Sequence, residues 1–131
     1  MVACFYCPTC WKEINRDTVK CPHCRYDLAA YAALSYEDKL IYALRHPIRE
    51  NRMMAIQLLG EMQSHKALTS FASTLEKEQD FYVIREIIRS LDKIGTKESR
   101  NMIRRLHTHR SKLVRKAVEQ TMPDMSAGGA S

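Results

Sequence analysis

The stretch Asp80-Phe81-Tyr82-Val83-Ile84-Arg85-Glu86-Ile87-Ile88-Arg89-Ser90-Leu91-Asp92-Lys93-Ile94-Gly95 decides the fold. Ile84, Ile87, Ile88, Leu91 and Ile94 recur at intervals of three and four residues, which places them on one face of an α-helix rather than on the alternating faces of a strand. Asp80 stands where an N-cap carboxylate can accept from the first free N–H groups. Gly95 stands where a residue of positive φ ends a helix, and Thr96 follows as the next cap. An aliphatic stripe this wide needs an apolar surface on the rest of the chain to cover it.

The flanking sequence supplies that surface in the same idiom. Upstream, Ser35-Tyr36-Glu37-Asp38 reads as a capping box with Asp in place of Glu or Gln, ahead of Leu40, Ile41 and Leu44. His46-Pro47 ends that helix, since the residue before proline avoids αR. A further segment runs to Met62 with Ala55, Leu58, Leu59 and Met62 on one face. Ser64 caps another that carries Ala67, Leu68, Phe71 and Leu75. Downstream come a helix with Met102, Ile103 and Leu106 and a last one with Leu113, Val114, Ala117 and Val118, stopped by Pro123. The small, polar tail to Ser131 is expected to be disordered.

The helices repeat. Leu59 and Leu91 are 32 residues apart, as are Met62 and Ile94, and Phe71 and Ile103. Val83-Ile84-Arg85 returns as Leu113-Val114-Arg115 thirty residues on. A period in the low thirties with two amphipathic helices per unit predicts an α-solenoid, in which each hairpin buries its face only against its neighbours. About two and a half units are present, so the ends need caps. The stretch from Tyr36 to Met122 resembles the short HEAT-like repeats first described around phycobilisome lyases. The resemblance rests on Ile84-Arg85 and Val114-Arg115 as the apolar–Arg pair opening a first helix, and on Leu59-Gly60 near a helix end. Asn51-Arg52 and Leu91-Asp92 depart from that pattern, with Gly95 serving in the second unit. The family name implies a lyase-like, cofactor-handling role as one alternative.

A different chemistry opens the chain. Cys7-Pro8-Thr9-Cys10 and Cys21-Pro22-His23-Cys24 are two C-P-x-C units separated by ten residues. Each two-residue gap folds a turn that aims both sulfurs at one point, so the four thiolates read as a single closed tetrahedral site for one Zn²⁺ per chain. Iron in a rubredoxin-like site and a redox C-x-x-C are the alternatives, the latter without the βαβ surroundings it needs. Four protein ligands leave no open position for a substrate, which argues against a catalytic metal. Cys4 also lies three residues before Cys7, but the matching text of the two units favours Cys7 and Cys10. The segment Trp11 to Lys20 is long enough for a strand, a turn at Asn15-Arg16-Asp17 and a strand back. The whole resembles the short zinc-ribbon modules of many prokaryotic proteins, in which C-P-x-C is followed by glycine; Trp11 and Arg25 stand at those glycine positions. The expected architecture is therefore mostly α: a zinc ribbon at 1–27, HEAT-like helical repeats at 28–122 and a tail at 123–131.

Charge is uneven. Of a net +6, five units lie in residues 97–131, which carry eight Lys/Arg and three Asp/Glu. Arg100, Arg104, Arg105, Arg110, Lys112 and Arg115, with Lys97 and Lys116, are candidates for contact with an acidic partner, protein or nucleic acid. No aromatic residue interleaves them, which weakens single-strand stacking. Tyr26, Tyr31, Tyr36 and Tyr42 cluster at the junction of the two parts. No nucleotide-binding, zincin or nucleophile-elbow motif is present, and His107 and His109, two apart, cannot chelate as a helical i, i+4 pair. No apolar run reaches membrane-spanning length. Five cysteines without an export-signal pattern point to a reducing, cytoplasmic compartment. The function read from these residues is a non-enzymatic, zinc-binding adaptor that holds a protein partner through its helical repeats. A nucleic-acid-binding or transcription-associated module is the alternative.

Overall fold

In chain order the computed structural model contains β1 (Phe5–Tyr6), β2 (Glu13–Ile14), α1 (Leu28–Ala32), α2 (Tyr36–Ala43), α3 (Arg49–Glu61), α4 (Ala67–Lys77), α5 (Phe81–Ile94), α6 (Lys97–Arg105), a 3-10 turn at Leu106–Thr108, and α7 (Lys112–Thr121). The structure describes residues 5–15 and 17–123. Expectations about Cys4, Arg16 and the tail from Asp124 fall outside the described residues. The chain is mostly helical with one small sheet near its N-terminus. It divides into two compact units between Ala55 and Ile56, within α3. Among the described residues no helix is long and apolar enough to cross a membrane.

In the first unit β1 and β2 pair antiparallel, with Phe5 opposite Ile14 and Tyr6 opposite Glu13. This differs from the expected hairpin within Trp11–Lys20. A turn does form, with the Thr18 N–H donating to the Asn15 carbonyl at 3.2 Å. The returning chain makes only an isolated bridge, Lys20 to Asp27, and β2 takes its partner from before the first knuckle. The physical reason is that each knuckle folds its own flanks together, so the strand leading into Cys7 lies beside the one leaving it. Asp27 then caps α1 by accepting from the N–H groups of Ala29 and Ala30. Ser35 caps α2, its Oγ accepting from the Asp38 N–H at 3.1 Å, as the capping box predicts.

The second unit is built around α5. Ile84, Ile87, Ile88, Leu91 and Ile94 are all buried, and so are Val83, Glu86 and Ser90 on its flanks. Its caps are those expected: the Asp80 carboxylate accepts from the Tyr82 N–H at 2.9 Å, and Gly95 ends the helix at φ +67°. Around it pack Leu59 from α3, Leu68 and Phe71 from α4, Met102 and Ile103 from α6, and Val114, Ala117 and Val118 from α7, every one buried. Ser64, Thr96 and Ser111 accept from the N–H groups of Ala67, Ser99 and Val114 at the starts of α4, α6 and α7. Two assignments to the core are corrected. Met62 is 45% exposed and Leu113 57% exposed, while Ile56 and Met122 are buried. Met62 sits past the end of α3, where the turn carries it out of the helical register.

Gly60 has a specific reason to be glycine. A Cβ there would meet Ser90 Oγ at 2.5 Å, Ser90 Cβ at 2.7 Å and Ser90 Cα at 2.8 Å. So α3 crosses α5 at a point where one backbone lies against the other. Ser90 exploits the closeness by donating its hydroxyl to the Ile56 carbonyl at 2.7 Å. Gln63, itself at φ 53°, donates from Nε2 to the Lys93 carbonyl at 3.0 Å, joining the ends of the same two helices.

Two outcomes are expected. Ile88→Asp, which buries an unpaired charge at a fully buried position, should cost several kcal/mol and abolish the cooperative helical transition seen by far-ultraviolet circular dichroism. Gly60→Ala should force α3 and α5 apart and lower stability by about 1–3 kcal/mol, read as a lower urea midpoint. An unchanged midpoint would mean the crossing tolerates a Cβ.

Candidate metal centre

The two cysteine knuckles are built alike, from local backbone bonds. The Cys7 N–H donates to the Lys12 carbonyl at 3.0 Å, and the Trp11 N–H donates back to the Cys7 carbonyl at 2.8 Å. The Cys21 N–H donates to the Tyr26 carbonyl at 3.0 Å, and the Arg25 N–H to the Cys21 carbonyl at 2.8 Å. Pro8 and Pro22 fix φ early in each turn, where no donor is needed. The last residue of each turn must then adopt positive φ, and Trp11 (60°) and Arg25 (66°) both do so despite their side chains.

This geometry brings four sulfurs together. The Sγ atoms of Cys7, Cys10, Cys21 and Cys24 all lie within 4.8 Å of one another. Cys7 and Cys24 are 3.5 Å apart, and Cys10 and Cys21 3.6 Å. Thiolates arranged tetrahedrally at the usual metal–sulfur length would be about 3.8 Å apart, so the four fit a metal ion with only slight adjustment. Cys7 and Cys21 are buried, Cys10 is partly covered and Cys24 is exposed. The His23 side chain is exposed and is not part of the four-sulfur cluster, and its backbone N–H donates to Cys21 Sγ at 3.4 Å.

The thiols do not share a common acidity. Burial pushes the Cys7 thiol up, but the Cys10 backbone N–H and the Thr9 hydroxyl and N–H outweigh it and bring it down to about 6. The Lys12 backbone N–H pulls Cys10 down, yet desolvation and the neighbouring thiols Cys21, Cys7 and Cys24 push it up to about 11. One ionised sulfur thus suppresses ionisation of the next, and a cation is what lets all four ionise together. Thr9 is a residue the sequence pattern left unassigned. Its Oγ1 lies 3.2 Å from Cys7 Sγ and 3.1 Å from Cys24 Sγ, bridging sulfurs of the two knuckles.

The strands and knuckles also present aromatic rings. Tyr6 and Trp11 pack against the His46 imidazole at centroid distances of 5.2 and 5.1 Å. His46 is lowered from its ordinary pKa by burial and then by Arg52. Its Nδ1 accepts from the Ile48 N–H at 3.0 Å, and Arg52 Nη1 donates to the carbonyls of His46 and Pro47 at 2.8 and 3.2 Å. The same device recurs at the start of α7. His109 Nδ1 accepts from the Ser111 N–H at 3.0 Å, and Arg115 Nη1 donates to the carbonyls of His109 and Arg110 at 2.6 and 3.1 Å. Between them Glu78 plays the histidine's part, accepting from the Asp80 N–H at 3.1 Å. The common spacing of histidine and arginine, six residues in each case, is the sequence signal for this clasp. Of the tyrosines, Tyr26 and Tyr31 pack against Tyr42 at 6.3 and 5.5 Å, whereas Tyr36 is 61% exposed.

The basic residues are dispersed. Arg100, Arg104 and Arg105 are exposed on α6, with Arg104 donating to Asn101 at 2.9 Å. Arg110 and Lys112 are exposed before and at the start of α7, while the Arg115 guanidinium is engaged by the clasp. Among the described residues no carboxylate pairs with Lys97, Arg100, Arg105, Arg110 or Lys112.

Because φ 66° costs a non-glycine residue of order 1 kcal/mol, Arg25→Gly should keep metal binding and raise the metal-loaded protein's thermal midpoint slightly. A lowered midpoint with metal retained would show that Arg25 makes a contribution its backbone strain conceals.

Against known proteins, the family model described as HEAT repeats matches residues 37–123, more than half of the chain. No curated protein and no solved structure matches.

Proposed function

This chain belongs to the HEAT-repeat family, and we propose that it is a non-enzymatic interaction module whose helical repeats hold a protein partner and whose N-terminal knuckles hold one structural zinc. The observation that carries the metal half is the convergence of four protein sulfurs within 4.8 Å. Cys7, Cys10, Cys21 and Cys24 would fill a tetrahedral shell, and an all-thiolate set favours zinc, whose d-shell imposes no other geometry. The metal would there serve folding: two-residue strands and a five-residue helix bury too little to be stable without it.

The adaptor half is supported by family membership and by the character of the repeat unit. HEAT repeats commonly mediate protein interactions, and stacked hairpins offer extended surfaces for that purpose. The unpaired cations of α6 support a second reading, a nucleic-acid-binding module, since phosphates would neutralise them. The protein reading is preferred because these cations are few and no aromatic platform stands among them.

Protein purified without chelator should contain one zinc per chain by elemental analysis. Cys10→Ser or Cys24→Ser should release it while leaving most of the helical signal in place. Metal-free protein with reduced thiols and an intact N-terminal region would overturn the zinc assignment. A partner that survives nuclease treatment in a pull-down would support the adaptor; sub-micromolar, steeply salt-dependent binding to a particular DNA or RNA would favour the second reading.

A further inference from the structure

We propose that Cys24 is a modification site: a peroxide oxidises its thiolate, a Cys7–Cys24 disulfide closes, the metal is released, and the Thr9 hydroxyl restrains the first step. The proposal rests on the metal-binding reading above and adds a reaction to that site. The two knuckles are alike in backbone but not in cover. In the first, Cys7 and Pro8 are buried and Cys10 is partly covered. Its flanks, Tyr6 and Trp11, lie against the His46 ring. In the second, Cys21 alone is buried, and Pro22, His23, Cys24 and Arg25 are all exposed. A thiol that coordinates a metal is deprotonated, so all four ligands would be thiolates and access decides which of them reacts. Oxidation of cysteine follows thiolate character and exposure together. Cys24 is the sulfur that a dissolved oxidant meets first.

The chemistry closes with hydrogen peroxide as the oxidant. The Cys24 thiolate attacks the O–O bond; an S–O bond forms, hydroxide leaves, and the sulfur becomes a sulfenic acid. Cys7 Sγ stands 3.5 Å from Cys24 Sγ and is placed to attack it. The S–S bond forms as the S–O bond breaks, and a second hydroxide leaves. In sum, two thiolates lose two electrons to one peroxide, and the two hydroxides take protons from solvent. Cys10 and Cys21, 3.6 Å apart, are then the only free sulfurs of the cluster, and two ligands do not close a tetrahedral shell. Thr9 stands at this junction, its Oγ1 3.1 Å from Cys24 Sγ and 3.2 Å from Cys7 Sγ. A hydroxyl proton shared with a thiolate draws charge from the sulfur and makes it a poorer nucleophile, so Thr9 restrains the thiolate that exposure leaves open.

The test uses the full-length, zinc-loaded chain carrying Cys4→Ser, which leaves the four ligands as its only thiols. Hydrogen peroxide is added with dimedone, which traps sulfenic acid, and in a parallel sample with a zinc-responsive dye. Cys24 should carry most of the dimedone, and zinc should be released as the first disulfide forms. Trypsin leaves Cys7 and Cys10 on the peptide ending at Lys12, and Cys21 and Cys24 on the peptide ending at Arg25. A disulfide between knuckles therefore links two peptides, one within a knuckle does not, and fragment ions should place the link at Cys7–Cys24. Thr9→Val should lose zinc to peroxide roughly three- to tenfold faster than the parent, while Thr9→Ser, which keeps the hydroxyl, should match the parent. Dimedone on Cys7, Cys10 or Cys21 before Cys24 would overturn the proposal. So would a first disulfide within either knuckle, or zinc retained while peroxide is consumed. Equal rates for Thr9→Val and Thr9→Ser would overturn the role of Thr9. Should Thr9→Val fail to hold zinc, the label and disulfide map of the Cys4→Ser chain decides alone. A chain without zinc at the outset would overturn the metal reading instead, and the same map on its four thiols would still decide whether Cys24 reacts first and pairs with Cys7.

Discussion

The covering of α5 on several sides at once is the constraint on which the repeat unit depends. A surface helix needs one apolar stripe, but α5 buries Val83, Ile84, Glu86, Ile87, Ile88, Ser90, Leu91 and Ile94, and these span more than one face of the helix. No single neighbour can cover them. The helices α3, α4, α6 and α7 each take a share, and their spacing follows from it. Where the share is aliphatic, neighbours keep the ordinary distance set by Leu and Ile side chains. Where it is Ser90, α3 can come closer, provided it offers Gly60 and accepts the serine hydroxyl at the Ile56 carbonyl. Small residues at one crossing and large ones at the others let a helix in the middle of a repeat array be enclosed while the buried Ser90 hydroxyl keeps its hydrogen-bond partner.

The first unit solves a different problem with different means. Its sheet has two residues per strand and its first helix five, so neither cooperativity along a helix nor a ladder of hydrogen bonds can hold it. What holds it is local closure: reciprocal backbone bonds around each knuckle, rings of Tyr6 and Trp11 on His46, and sulfurs placed to share a cation. Strain is tolerated in that setting. Two left-handed residues without glycine, and a buried Trp11 Nε1 with no acceptor, would be costly in a domain whose stability came from its core alone. A metal bound by the four thiolates would contribute enough free energy to offset them.

Most of the repeat unit was legible in the sequence because its signals are periodic and redundant. The α5 stripe, the Asp80 and Thr96 caps, the Gly95 stop and the 32-residue spacing all point to the same helices, and the structure has them. The misses occur where periodicity ends. Met62 continues the stripe on paper, but it lies past the last residue of α3, in the turn that leads into Gln63. Leu113 opens α7, where the first turn is not yet covered by a neighbour. In the first unit the cysteine text identified the four sulfurs, since their spacing is itself the geometry. Strand pairing was not legible, because two-residue strands carry no pattern and their register follows from the knuckle bonds. The clasp at His46 and His109 was missed for another reason. In the sequence His46 reads as the helix end before Pro47 and His109 as a residue that cannot chelate with His107, and the paired arginine six residues on shows its purpose only when the two are read together.

The clasp bears on how the start of α7 is held. A helix without a partner hairpin is a liability if its outer face is apolar and its start is free to fray. On α7 the buried residues are Val114, Ala117 and Val118, turned toward the rest of the unit, while Lys112, Lys116, Glu119 and Gln120 are exposed. Leu113 is the one large apolar group left outside. The first turn is pinned by Arg115 to the carbonyls of His109 and Arg110 and by Ser111 to the Val114 N–H. A polar outer face and a fastened start keep α7 in place against the rest of the unit. That leaves the cations of α6, which take no part in fastening α7, available for a role outside the fold.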